Sequence, residues 1–218
     1  MDFGFLSKYY PFFIGGTKLT IILAFFTVVF GTILGSILSL MKLSKNNFLK
    51  FISSSYIEIL RGTPILVQLY IVYYGLPSLG IHFPDMVAAI ITLSLNSAAY
   101  VAEIVRAGID AVDKGQKEAA RSLGMSNSLT MRLIIMPQAL KNILPALGNE
   151  FITIIKESSI VSIIGISELM YNADTIRGNT AQPFEPLIVV AIIYFVLTFT
   201  LSKLLGVIER RMKISDNH

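Results

Sequence analysis

The stretch PLIVVAIIYFVLTFTLSKLLGV (186–207) carries no charge before Lys203. A helix needs about 20 mainly apolar residues to cross roughly 30 Å of hydrocarbon, and this run meets that length without interruption. Four further segments qualify beside it. They cover about 17–41, ending at the basic stretch KLSKNNFLK (42–50), then 53–76, 86–106 and 142–165. The second is interrupted by Glu58, Arg61 and Pro64. The expected fold is therefore all-α, a single polytopic domain over 1–218 with about five transmembrane helices.

Composition points the same way. Of the 218 residues 54% are apolar and 15% charged, with a mean hydropathy of +0.68; a soluble domain carries about 25% charged residues. The chain has no cysteine, which removes disulfides, thiolate metal sites and cysteine nucleophiles together. Its two histidines are His82, in an expected loop, and His218. Histidine-based metal binding or base catalysis inside the membrane is thereby excluded. The start, MDFGFLSKYY, lacks the basic region and small-residue cleavage site of a signal peptide, so the first apolar segment is expected to persist as a span.

Lys and Arg are retained on the cytoplasmic side of spans. Lys42, Lys45, Lys50, Arg106, Lys114, Lys117, Arg121, Arg132, Lys141, Arg210, Arg211 and Lys213 would share one side, twelve of the 18 basic residues. Lys8, Arg177 and Lys18 fall opposite or near it. The N-terminus is expected outside and the C-terminus in the cytoplasm. The net charge of +4 is thus a topology signal, and nucleic acid is not an expected partner.

Between the third and fourth segments lies a region too polar to cross a membrane and too long for a tight turn. GQKEAARSLG (115–124) sets Ala119, Ala120 and Leu123 among strong helix formers, the pattern of a short amphipathic helix. Gly124 would end it in a left-handed cap, with Ser126 or Ser128 starting the next turn. Three small apolar residues anchor a helix to lipid only weakly, so a protein partner is the better reading.

Four motifs together resemble a known family. Glu118-Ala119-Ala120, then Gly124, Ile134 and Met136-Pro137, is similar to the cytoplasmic EAA loop of bacterial ABC importer permeases, here over about 113–137. Met136 stands where that pattern has Leu, a volume-conserving exchange. YIEILRGTPILVQL (56–69), LNSAAYVAEIVRAGIDAV (95–112) and KESSIVSIIGISEL (156–169) resemble permeases of the histidine/glutamine/arginine uptake type. The resemblance covers about 12–210. It implies a type I ABC importer transmembrane domain in the bacterial plasma membrane, with a coupling helix (Glu118, Ala119, Ala120, Gly124, Pro137) docking on a cytoplasmic ATPase dimer. It further implies a second permease subunit, identical or homologous, an extracytoplasmic solute-binding protein meeting a polar loop at 166–185, and alternating access in the lipid bilayer. ATP and Mg would sit on the ATPase: GGTK (15–18) lacks the upstream glycine and the Gly-Lys pair of a phosphate-binding loop. The chain is accordingly expected to be no enzyme itself.

Ionisable groups inside spans default to functional hypotheses. Glu150, in ALGNEFITII, is the sharpest, and Glu157 follows two helical turns later, about 10 Å along at ~1.5 Å per residue. A carboxylate pair would favour a cationic amino acid. Within the family resemblance, Glu150 falls where members vary and points to specificity, whereas Glu157 falls where an acid is common. Lys156 would pair with an acid from another helix or reach outward. Asn96, with Tyr100 one turn on, offers an amide to substrate or to a neighbouring helix. Pro64 should kink the second segment and free the Leu60 carbonyl beside Thr63 and Gln68. Glu58/Arg61 and Glu103/Arg106 are read as i,i+3 charge pairs, and Gly31/Gly35 as a close helix-packing face. The competing function is an ion-coupled secondary carrier using Glu150 and Glu157, weakened because no internal repeat is visible. An intramembrane enzyme is disfavoured by the missing nucleophile motifs.

Overall fold

The structure, a computed structural model, describes residues 1–214; the Lys213 side chain and His218 lie outside the described residues. The chain is all-helical there, running α1 (Leu6–Leu43), α2 (Asn47–Gly62), α3 (Ile65–Tyr70), α4 (Leu76–Ser78), α5 (Asp85–Asp110), α6 (Lys114–Ser122), α7 (Asn127–Thr130), α8 (Met136–Glu157), α9 (Leu169–Thr180) and α10 (Glu185–Ile214). A 3₁₀ turn, Ser158–Ile164, follows α8.

Among the described residues, three helices are long and apolar enough to cross a membrane: Leu6–Leu43, Asp85–Asp110 and Glu185–Met212. A fourth crossing results if Asn47–Gly62 and Ile65–Ser78, bent by 106° at their junction, count as one. The expected fourth span, 142–165, is instead α8, which begins at Met136 and ends at Glu157. It carries Lys141, Glu150, Lys156 and Glu157, so it does not qualify by apolarity. A helix covered by neighbours can hold polar groups that a lipid-facing one cannot. At the other end, α1 starts eleven residues before the expected 17.

Helix α5 is the centre of the bundle. Of its apolar window 61% is buried, against 28% for α1 and 6% for α10. Without a hydrophobic drive between helices in lipid, close approach rests on small residues. Ala88, Ala89, Ala98, Ala99 and Ala102 supply them from α5. Gly31 and Gly35 supply them from α1. A Cβ on Gly31 would lie 2.8 Å from Ser97 Oγ, and one on Gly35 2.7 Å from Val101 Cβ. The glycine pair therefore packs helices, as expected.

Prolines set the irregular points. Pro64 has no N–H and would clash with the Leu60 carbonyl, so α2 stops at Gly62 and Thr63 is extended (φ −116°, ψ 143°). Two π-type turns, Ile71–Gly75 and Met131–Ile135, each lie just ahead of a proline, Pro77 and Pro137. Widening the turn makes room for a proline ring that a regular α-turn would not accept.

Residues 166–185, expected to form a polar loop, hold α9 instead. Glu168 caps it, its Oε1 accepting the Tyr171 N–H at 2.8 Å. Leu169, Ala173 and Ile176 share one face at helical spacing and pack on Phe5, Tyr9, Phe13 and Val190. Isolated apolar residues at that spacing do not register in a search for continuous apolar runs.

Candidate functional site

The break at Pro64 gathers the first group of polar side chains. Gln68 Nε2 donates to the freed Leu60 carbonyl at 2.8 Å, to Thr63 O at 3.1 Å and to Thr63 Oγ1 at 2.9 Å. Asn96 Nδ2, from α5, donates to Gln68 Oε1 at 3.0 Å and to Leu60 O at 3.3 Å. Thr63 Oγ1 donates back to Ile59 O at 2.8 Å. The structure thus joins Thr63, Gln68 and Asn96. Both amides are buried and committed to the backbone of the break, whereas Thr63 is exposed.

Tyr100 lies beside this group. At ~100° per residue, Asn96 and Tyr100 are about 40° apart around α5, and Ser97 is about 60° beyond Tyr100. Tyr100 is 37% exposed, and the Arg61 guanidinium lies over its ring, 5.4 Å from the centroid. The expected Glu58–Arg61 pair is not formed: among the described residues neither makes an ion pair. Glu103–Arg106 does form, at 2.9 Å, and is extended by Lys42 at 2.5 Å and Asp110 at 2.7 Å. That network ties the ends of α1 and α5.

On the far side of Tyr100, Ser97 Oγ donates to Glu150 Oε1 at 2.9 Å. Ser97 is fully buried and Glu150 is 9% exposed. Gly31 leaves the space that the Ser97 hydroxyl occupies, so α1 and α5 together aim one donor at the acid. Glu157 is half-buried, and Lys156 is exposed and makes no ion pair among the described residues. Around α5, then, an amide cluster, an exposed phenol and a nearly buried carboxylate follow in order.

Glu168 lies inside the KESSIVSIIGISEL stretch (156–169), whose resemblance assigns it no role. It is fully buried, and its Oε2 accepts from Tyr194 at 3.1 Å and Thr20 at 3.4 Å. Burial pushes this carboxyl above the ordinary carboxylate range, with its backbone and hydroxyl donors opposing the shift. It joins α1, α9 and α10. A local signal in the sequence is the acid just ahead of the Leu169, Ala173, Ile176 stripe.

The other end of α5 carries the short helix α6. Asp113 caps it, accepting from Gly115 N at 2.6 Å. Gly124 (φ +83°) turns the chain at its end with open space around it, so conformation and not crowding calls for glycine there. Ser126 starts α7, its Oγ accepting from Leu129 N at 3.3 Å. Glu118 and Ala119 face out, while Ala120 is buried against the chain itself. Leu123 is 84% exposed. Pro137 is exposed in the first turn of α8. Ile109 and Val112 pack on Ile135, Ala139 and Ile143, joining the end of α5 to the start of α8 beside this tip. A cleft of about 650 Å³ opens beneath it, lined by Asp110, Lys114, Lys117, Glu118 and Arg121 among others.

Residues 27–214 match the family of binding-protein-dependent transport system inner membrane components. The chain is 44% identical over 217 residues to the arginine transport system permease protein of Bacillus subtilis, covering 99% of both. It is also 44% identical to a putative glutamine transport system permease protein of Rickettsia bellii, covering 98% of this chain and 100% of that one. A crystal structure of an amino acid ABC transporter with histidines superposes with a TM-score of 0.94 at 54% identity, over 97% of this chain and 99% of the other. A methionine ABC transporter in inward-facing conformations shares the fold, with a TM-score of 0.80 at 20% identity.

Proposed function

We propose, from the premise that the chain belongs to the binding-protein-dependent transport system inner membrane component family, that it is an ABC-importer permease carrying a polar amino acid past Glu150. The permease role and the amino-acid class rest on the relatives, whose names include arginine and glutamine transport. The finer reading rests on one observation: α8 carries both ends of the device. Its first turns pack on Ile109 and Val112 at the end of α5, the turn Met131–Ile135 just ahead of it packs against α6 and α7, and Glu150 follows about 21 Å further along, at ~1.5 Å per residue from Met136. A displacement of the tip would thereby be communicated along α8, past Pro145, to the acid.

In this reading the tip docks on an ATPase subunit. Glu118, Ala119 and the projecting Leu123 would form the contact, Gly124 would shape it, and Ala120 and Pro137 would hold α6 and α8 in place. Two ATPases, bearing ATP and Mg, call for two such tips and hence a second permease, identical or homologous. The α9 side, with the N-terminus, would face outward towards a solute-binding protein, in accord with the distribution of basic residues. The permease performs conformational work and no covalent chemistry.

Uptake into proteoliposomes holding the permease, its ATPase and the binding protein tests this. ATP-dependent accumulation of a polar amino acid is expected. Accumulation driven by an ion gradient without the ATPase would overturn the reading in favour of a secondary carrier.

A further inference from the structure

Glu58 and Arg61 lie 11 and 14 residues beyond the start of α2 at Asn47, about 17 and 21 Å along the helix at ~1.5 Å per residue. Counted from the basic 42–50 stretch, both depths fall inside a hydrocarbon core of roughly 30 Å. Yet from Glu58 to Pro64 every residue except half-buried Leu60 is exposed in the single chain, and the helix breaks at Thr63. Lipid accommodates neither feature. Charges inside a span face protein or water, and non-helical backbone at that depth is buried in protein or lines a cavity.

The side chains on this face say what covers it. Glu58 and Arg61 are about 60° apart around α2 at ~100° per residue and opposite in charge. Among the described residues they make no ion pair with each other or with any other group. The Tyr100 ring holds Arg61 from one side, 5.4 Å from its centroid, and leaves the N–H groups in the guanidinium plane free for a carboxylate. Gly62 is about 40° to the other side of Glu58, and a Cβ placed on it would meet nothing within 4 Å. A small residue in open space at membrane depth lets a second helix come close. An acid, a base and a small residue side by side are complementary to the same surface turned about a two-fold axis.

We infer that α2 is the contact with a second copy of this chain, each Arg61 pairing with the Glu58 of the other copy. This rests on the permease reading above and names the face through which two subunits meet. With the axis along the membrane normal the two α2 helices run parallel. The paired residues then differ in depth by about 4.5 Å, a gap that these long side chains bridge. Two reciprocal pairs satisfy all four charges and shield the break at Thr63 from lipid in both copies.

The test uses the permease–ATPase complex purified in detergent without nucleotide. Because the chain lacks cysteine, two differently tagged forms, one with Glu58→Cys and one with Arg61→Cys, are co-expressed and mildly oxidised. A disulfide joining the two tags is expected, and none between two forms carrying Ile37→Cys, an exposed position on α1. Charge is tested separately by co-expressing Glu58→Arg, a copy with two bases, and Arg61→Glu, a copy with two acids. Their ratio of mixed to like pairs should rise at least about tenfold over that of two unaltered tagged forms. No disulfide between the tags, with both cysteines modified instead by a membrane-impermeant thiol reagent, would place the two charges against water and overturn the inference. Random pairing of the charged variants, or a complex holding one copy of this chain beside a different permease, overturns it too. In each of these cases the permease reading stands if ATP drives uptake by the unaltered complex, and it fails only if ATP drives none.

Discussion

At the scale of single residues, Glu150 is a carboxylate with one hydroxyl donor and little water. Removing its charge should act on cationic ligands first. Glu150→Gln is expected to weaken uptake of L-arginine by about tenfold while changing L-glutamine little, as for one lost charge-assisted contact. Equal loss for both would remove the acid from substrate selection. Asn96→Leu keeps the volume but withdraws a donor from Leu60 O and Gln68 Oε1. Gln68 still serves that carbonyl, so the loss should be about 1 kcal/mol, in line with interhelical hydrogen bonds in membranes, read as a lower melting temperature of the purified complex. Legibility at this scale is uneven. Pro64 announces the freed carbonyl four residues earlier, but its second donor sits 36 residues later on another helix, which no local pattern specifies. Arg61 shows the converse error, since i,i+3 spacing permits a pair with Glu58 that the chain does not form.

Among elements, the contact of α1 with α5 leaves the least room. Gly35→Leu would drive carbon into Val101 and the Ala98 carbonyl, and overpacking of this kind costs about 1–3 kcal/mol. Gly15→Ala, where nothing lies within 4 Å, should be neutral. Thermal unfolding of the two variants compares them directly, and similar losses would show that the packing face is not where the glycine pair puts it. Gly124→Ala differs in kind, for it strains a left-handed backbone in open space; about 1 kcal/mol of local destabilisation is expected, with slower uptake and unchanged membrane insertion. The apolar runs of α1, α5 and α10 could be read from sequence, as could the Gly124 end of α6, because each is a local signal. Helix α9 could not, since its three buried apolar positions form no continuous run, and its stability comes from a surface built by α1 and α10.

For the whole molecule, the decisive relation is between the α6–α7 tip and Glu150, joined by α8. Leu123→Asp should abolish stimulation of ATP hydrolysis by the loaded binding protein while Glu150-dependent binding of L-arginine to the complex persists; loss of both together would mean that the tip holds the fold and does not transmit. The bent passage from α2 to α4 also has a consequence for how the protein is made. With Glu58, Arg61 and Pro64 along it, this stretch enters the bilayer with its Leu60 carbonyl held by Gln68 alone, and the second donor, from Asn96, is synthesised only later. A nascent chain released before residue 96 would hold that passage loosely, and one released after α5 would hold it firmly. Because the chain lacks cysteine, a single cysteine introduced at Leu79 reports on which side of the membrane that corner rests in each released length. The order of synthesis thus becomes part of the design: the second passage enters the membrane first and is secured by the next.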